Sequence, residues 1–433
     1  MSHHSKPTTR SRRMPPKQLD ERLVVCRSTG DQPGIQLMLP MAPTMIIEGE
    51  LEKLMLDAGR LMIMGFLNEE VEAKAGKRYA HEGDAIKRWG REDGHAIIAG
   101  QKVAIQRPRL RGPNGEVPLT RYEAFRQEGR MQRAVAGKVM RRVSMRDYEG
   151  AIETFGAGYG IRKSSVSRHW VAASTAELAK LQTRRLEGLE IVAVMIDGIA
   201  YHGEMVLVAL GVSSDGTKHI LGLRDGATEN SEVVKALLDD LVERGLDRGE
   251  DGQRFLFVVD GAKALTKAIR VRFGDRAEIQ RCQAHKERNL LGHLPDGMQD
   301  EAQRRLRAAW GLSDYHKAKA ELERVGNWLE QHSHGAAASL AEGLEETLTI
   351  HRLGMPPPMR RSFRTTNPIE SPFAHNRDHS HNVRKWKDMK MRLRWAGTLL
   401  LDAEKRFRRV QHAEHMPALL HALGRLDAAS KTA

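Results

Sequence analysis

The chain has 433 residues, 40% hydrophobic and 29% charged, long enough for two to four folded units and too apolar to stay disordered. Its 70 Lys and Arg outweigh 56 Asp and Glu, and the net charge of +14 favours a polyanionic partner, most often nucleic acid. Two cysteines, Cys26 and Cys282, cannot build a disulfide framework, no apolar run nears the roughly 18 residues that span a membrane, and no apolar core follows the basic N-terminal residues as in a signal peptide. Secreted, membrane and disulfide-scaffold classes are excluded, and a reducing cytoplasm is expected.

Residues 1–45 are rich in Pro, Ser, Thr and Arg without apolar periodicity, which predicts a disordered basic arm carrying Lys6, Arg10, Arg12, Arg13 and Lys17. A helix and a small β unit are expected over 46–125. Leu51, Leu54, Met55, Ala58, Met62 and Phe66 recur at helical spacing, and residues 95–98 and 102–105 flank a turn as a short hairpin. Arg107, Arg109 and Arg111 follow at intervals of two. An extended chain sets all three on one side, suited to phosphate contact or to plain solvation.

Residues 126–185 read as a helix-turn-helix DNA-binding region. Ser144-Met-Arg-Asp147 offers a capping box for a helix to about Phe155, and Gly156, Gly158 and Gly160 make the turn. Ser164 then caps a short second helix. Its N-terminal Ser164, Ser165, Ser167 and Arg168 stand where such helices read bases and phosphates. No phosphate-cradling G-x-x-x-x-G-K-[ST] loop occurs, so no nucleotide cofactor is expected.

Over 186–296 the pattern becomes α/β. Strands are predicted at 191–196, 205–212, 218–223, 255–259 and around Ile279, with helices at 231–244 and 264–273, in the order β-β-β-α-β-α-β. The helical crossover lets the first and fourth strands lie parallel and adjacent. Asp197 and Asp260 each follow a buried strand and project from neighbouring carboxyl ends, where open α/β sheets carry their sites. Either one alone reads as the start of an Asp-Gly turn. Two together repel unless a cation lies between them, and Mg²⁺ with oxygen ligands meets that need.

Residues 297–360 are helical in pattern up to Pro356-Pro357-Pro358. Trp310 and Trp328 there either stack on a DNA base or fill a core, the second fitting their spacing better. Past 361, Arg377, Arg384, Lys385 and Lys387 belong to a dense cationic stretch suited to DNA phosphates. A seam from Trp386 through Leu393 and Leu400 to Val410 packs on the sheet or on another subunit. Residues 411–433 are expected as a C-terminal tail.

Ile196-Asp197-Gly198, Val259-Asp260-Gly261, Cys282-Gln-Ala-His285 and Thr365-Thr-Asn-Pro-Ile-Glu370 occur in that order. Together they resemble the Mutator-type transposases of bacterial insertion sequences. The resemblance implies a ribonuclease-H-like core, split over 186–296 and 361–410 by the helical insertion. It implies that Asp197, Asp260 and Glu370 are the catalytic triad and hold two Mg²⁺ ions, with Mn²⁺ as a substitute. Cys282 and His285 form a supporting motif; one C-x-x-H supplies only two of the four ligands of a structural zinc. The implied partners are double-stranded DNA, as terminal inverted repeats and target, and further copies of the chain bound on it in a bacterial cytoplasm at the nucleoid.

Spacing alone leaves Glu342, Glu345, Glu346 and Glu404 as rivals to Glu370. Pro368 and Pro372 bracket Glu370, and a helix capped by Ser371 with Pro372 at its first position leaves Glu370 just outside it. Two other functions fit parts of the pattern. One is a ribonuclease-H-like nuclease or resolvase without strand transfer, the other a helix-turn-helix regulator that has lost catalysis.

Overall fold

The computed structural model describes residues 24–27, 35–38, 48–78, 85–146, 148–149, 159–201, 203–246 and 253–425. The basic residues expected in the arm, Gly156, Gly158 and residues 147 and 150–155 of the first helix expected for a helix-turn-helix lie outside the described residues, and Ser144, Met145, Arg146, Tyr148 and Glu149 lie in bends, turns or irregular backbone rather than in a helix. The chain divides into two compact units, residues 1–131 with 149–162 and residues 132–148 with 163–433.

In the first unit, β1 (Val24–Arg27) pairs antiparallel with β2 (Ile35–Met38), so the stretch expected as an arm holds a small ladder of aliphatic β-formers. Helix α1 (Glu48–Ala75) runs well past the expected Phe66. β3 (Lys87–Ile98), β4 (Gln101–Gly112) and β5 (Gly115–Val117) form an antiparallel sheet followed by α2 (Thr120–Arg126). The β3–β4 register shifts between Arg88 and Arg91, opposite Leu110 and Pro108, and along β4 the buried positions pass from Val103 and Ile105 to Pro108 and Leu110. Ile63, Leu67 and Val71 of α1 close this core over Ala96, Ile105 and Tyr122. Helix α3 (Glu128–Val139) spans the division between the units in sequence.

Beyond residues 132–148, the second unit continues with α4 (Lys163–Thr183). The expected short second helix is therefore a helix of 21 residues, and Ser164 lies within its first turn rather than at its cap. Val166, Trp170, Ser174 and Leu181 supply its buried stripe, and they carry the helix far beyond the serine cluster. Then come β6 (Ile191–Tyr201), β7 (Glu204–Ser213), β8 (Lys218–Asp225), α5 (Ser231–Glu243), β9 (Phe255–Val259), α6 (Lys263–Phe273) and β10 (Ala277–Arg281). The expected β-β-β-α-β-α-β order is present. The sheet order is β10-β9-β6-β7-β8, with β6 antiparallel to β7 and parallel to β9, and β9 parallel to β10. α5 begins where the Asn230 side chain accepts from the backbone N–H groups of Glu232 and Val233.

The two sheet faces bury different residues. Val194, Ile196, Phe257, Val259 and Ile279 pack under Leu237, Leu241, Leu265 and Ile269 of α5 and α6. On the other face lie Met195, Ile199, Leu256 and Val258. Helices α7 (Gln283–Leu291), α8 (Asp296–Gly311), α9 (Tyr315–Glu330), α10 (His334–Ala341) and α11 (Thr349–Arg352) form the helical stretch, whose own core joins Leu306, Leu322, Val325, Leu329 and Leu340. The chain then returns to the sheet through α12 (Pro357–Phe363), α13 (Asn367–Ser380) and α14 (Met389–Glu404). Met359, Phe363, Ile369, Phe373, Ala396 and Leu400 cover the second face. The apolar seam from Trp386 to Val410 thus packs on the sheet. α15 (Met416–Ala422) follows in the segment expected as a tail, with Met416 and Leu419 buried in the same core.

Candidate metal centre

Alternation along the strands decides which way the acidic residues face. Met195 and Ile199 of β6 belong to the face covered by α13, so Asp197 between them shares it. In the parallel pair Ile196 is the register partner of Val259, and in the next pair Val259 is the partner of Arg281. Asp197, Asp260 and Cys282 are therefore the next residues at the same level of three adjacent parallel strands. Asp197 remains inside β6, paired with Val208 of β7, which fixes its backbone.

Asp197 is 9% exposed and its Oδ1 accepts the Gly198 N–H at 2.8 Å. Burial holds its carboxyl above the usual range, and the nearby Asp260 adds to the rise against the pull of His285. Asp260 accepts from Ala262 N at 2.9 Å and from Thr228 Oγ1 at 3.1 Å. Cys282 N donates to Val259 O at 2.7 Å, extending the strand ladder to the start of α7. The first turn of α7 then carries His285 back towards the aspartates.

Glu370 comes from α13. The helix starts at Asn367 rather than after Ser371, with Pro368 in its first turn and Pro372 inside it, so Glu370 is in the first turn. Pro368 needs no intrahelical donor there, whereas Pro372 forgoes one hydrogen bond and is retained as a buried residue. Glu370 N donates to Thr366 O at 3.1 Å, and the Thr366 hydroxyl lies 3.5 Å from Glu370 Oε1. Ligand atoms of Asp197, His285 and Glu370 all lie within 4.8 Å of one another. Asp260 is outside this tight group, its carboxylate turned to Thr228 and the start of α6.

The electrostatics suit a cation. His285 is pushed up to about 9, first by the Cys282 thiol beside it and further by Asp197 and Asp260. Burial raises the Cys282 thiol, but the imidazole outweighs it and leaves the thiol below its ordinary value. His285 Nδ1 is buried without a hydrogen-bond partner. A buried carboxylate, a second carboxylate, an imidazole with an orphaned nitrogen and Asp260 one strand away fit a divalent ion with oxygen and nitrogen ligands.

The rival glutamates are engaged elsewhere. Glu342 faces Arg281 and Lys263, Glu345 pairs with Tyr315 and Lys319, and Glu404 holds Arg184 at 2.8 Å. Glu346, like them, stands outside the group around Asp197.

Two residues that sequence reading missed support the site: Thr228, which holds Asp260, and Thr366, which donates its N–H to Cys282 Sγ at 3.4 Å. Both threonines lie in loop or cap positions that only the folded chain brings near the aspartates. The Thr-Glu-Asn turn before α5 and the Thr-Thr-Asn before α13 are their only sequence signals.

The expected DNA-contact residues are divided between the two units. Arg107 and Arg109 share one side of β4, but both bind Glu92 and Glu116, and Arg111 stacks on Trp89 with its guanidinium 4.5 Å from the ring centroid. Ser164 and Arg168 are exposed, Ser165 and Ser167 half-buried. Arg377, Arg384, Lys385 and Lys387 are exposed, the last three between α13 and α14. Trp310 is 7% exposed and its indole N–H donates to Thr347 Oγ1 at 3.2 Å. It belongs to the helical core, the role its spacing fits better. Trp328 is half-buried under the Arg305 guanidinium.

Among the described residues no helix is long and apolar enough to cross a membrane. The sequence matches a family described as "Transposase, Mutator family" over residues 43–410. It is 30% identical to the transposase for insertion sequence element IS6120 of Mycolicibacterium smegmatis, over 65% of this chain and 86% of that protein. It is 30% identical to the transposase for element IST2 of Acidithiobacillus ferrooxidans, over 47% of this chain and 66% of the relative. The transposase for IS256 in transposon Tn4001 of Staphylococcus aureus is 26% identical, over 45% and 48% respectively.

Proposed function

The chain belongs to the Mutator family of transposases, and from that premise we propose that it binds the terminal inverted repeats of its insertion sequence, cuts there and joins the freed 3′-OH to target DNA. Asp197, Asp260 and Glu370 would hold the divalent metal, Mg²⁺ or Mn²⁺, with His285 beside them. The observation that carries this reading is the meeting of Asp197, Glu370 and His285 within 4.8 Å, from elements far apart in sequence.

The mixed five-stranded order, with two parallel strands added beside an antiparallel trio, supports a ribonuclease-H-like core. A divalent ion bound there supplies charge neutralisation at the scissile phosphate and a stronger oxygen nucleophile. The chain's own contribution is position. β6 holds Asp197 rigidly, Thr228 orients Asp260, and Thr366 ties the start of α13 to Cys282 and Glu370. Burial of Asp197 limits water and strengthens each charge interaction in the site. Exposed Ser164 and Arg168 at the start of α4 support DNA reading by that helix, in a homo-oligomer assembled on double-stranded DNA.

The test mixes purified protein with DNA bearing the element's ends and Mg²⁺, and compares wild type with Asp197→Asn and Glu370→Gln. Expected are cleaved and joined products from wild type, reduced at least about 10²-fold in either variant, with binding in EDTA unchanged. Cleavage without joined products assigns a nuclease or resolvase. Binding without cleavage assigns a regulator.

A further inference from the structure

Arg281 is the last residue of β10 and the register partner of Val259, one residue before Asp260. It is 6% exposed, and its Nε is buried without a hydrogen-bond partner. A guanidinium is costly to bury and an orphaned donor costs more, so this placement asks for a reason beyond packing.

The reason lies in what the guanidinium separates. On one side is Gly261, the residue after Asp260, at φ +95°; on the other is Gly343, between α10 and α11, at φ +74°. A Cβ at either glycine would lie within 3.0 Å of the guanidinium nitrogens. Both positions also need the left-handed backbone that glycine adopts without strain. The Arg281 side chain thus fills a slot between the turn of Asp260 and the helical stretch.

Glu342 completes the grip. Its carbonyl accepts from Arg281 Nη1 at 2.9 Å and from Lys286 Nζ at 2.6 Å, and its carboxylate faces Arg281 Nη2 at 3.5 Å. The other carboxylate oxygen lies 3.4 Å from Lys263 Nζ, at the start of α6. Residues on both sides of Asp260, in β10 and in α6, are thereby tied to one glutamate of the helical stretch.

We propose that Arg281 is a positioning residue through which the Glu342-Gly343 segment of the helical insertion fixes the turn carrying Asp260, and so sets the strength of divalent-metal binding. This rests on Asp260 belonging to the metal site. Loss of the guanidinium leaves the Asp260 carboxylate intact and releases the turn that presents it.

The test titrates the full-length protein, without DNA, with Mn²⁺ and reads the free ion by electron paramagnetic resonance. Arg281→Ala raises the half-saturating Mn²⁺ concentration on the order of tenfold, the scale of losing a residue that orients a metal ligand. Gly343→Ala gives a similar rise although it lies outside the site, and adds nothing in the Arg281→Ala background. Glu342→Gln, which keeps the backbone carbonyl, gives a smaller rise, and DNA binding in EDTA stays at the wild-type level throughout. If Arg281→Ala fails to fold, Gly343→Ala and Glu342→Gln decide.

Wild-type Mn²⁺ binding that is sensitive to Asp197→Asn but unchanged in these variants overturns the positioning role alone. Wild-type protein with no Asp197-dependent Mn²⁺ binding overturns the metal-site reading, and the positioning role falls with it.

Discussion

Ile196 and Val259 are register partners on neighbouring parallel strands, and each is followed by an aspartate. Parallel pairing keeps equal steps along the two strands level, so Asp197 and Asp260 reach the same height of the sheet. Their backbones differ in freedom. Asp197 stays within a strand paired on its far side to Val208, while Asp260 enters a turn held by Thr228 and Arg281.

Asp197 lowers the stability of the metal-free protein at neutral pH. Folding raises its pKa above the ordinary 3.8, chiefly by burial, so its favourable contribution is complete below that value and is lost as pH rises through the folded one. At pH 7, in EDTA, Asp197→Asn has a higher Tm than wild type, and the gap closes towards pH 4. Added Mn²⁺ raises the Tm of wild type only. Thermal scans at several pH values with and without metal check all three.

His285 carries the opposite charge and a separate pH window. Its pKa rises from 6.5 to about 9 on folding, so its stabilising share is full below pH 6.5 and is lost as pH climbs through about 9. Urea titrations of metal-free protein should show wild type weakening between pH 6.5 and 9, with His285→Gln nearly flat across that range.

Trp170 of α4 and Trp395 of α14 have ring centroids 4.5 Å apart, and both are buried. Trp395→Ala costs about 3–5 kcal/mol by the transfer and cavity terms. The double variant with Trp170→Ala costs less than the sum, because each ring is the other's neighbour. Chemical denaturation of the four proteins of the cycle measures both quantities.

Cations differ in what they have left to give a phosphate. Arg384, Lys385 and Lys387 are exposed, whereas Arg107 and Arg109 bind Glu92 and Glu116. Replacing all three of the first group by Gln lowers the slope of log K against log salt by about 1 for each phosphate no longer neutralised. Replacing Arg107 and Arg109 lowers it by less. Binding isotherms on double-stranded DNA at several salt concentrations separate the groups.

The sheet is legible in the sequence because strands buried on both faces read as unbroken apolar runs, as in 191–196 and 255–259, and Asp-Gly marks where two of them meet the site. Glu370 is not legible from spacing, since its position depends on how Ile369 and Phe373 dock α13 on the far face. The start of α13 is hidden for a related reason: Pro372 looks like a helix start, yet packing holds it inside one. Ser164 misleads similarly, for a serine near an N-terminus resembles a cap until the buried stripe of Val166, Trp170, Ser174 and Leu181 sets the helix's real length. The grouping of His285 with Asp197 needs the register of β10, which no local pattern encodes.

Glu370 is supplied by α13, after the whole helical excursion from α7 to α12 has been made. During synthesis the sheet strands with both aspartates leave the ribosome first, and the last acidic partner emerges only near the end. On the proposed reading, polypeptides that stop before Asn367 carry both aspartates without the third carboxylate, and they are expected to cut no DNA.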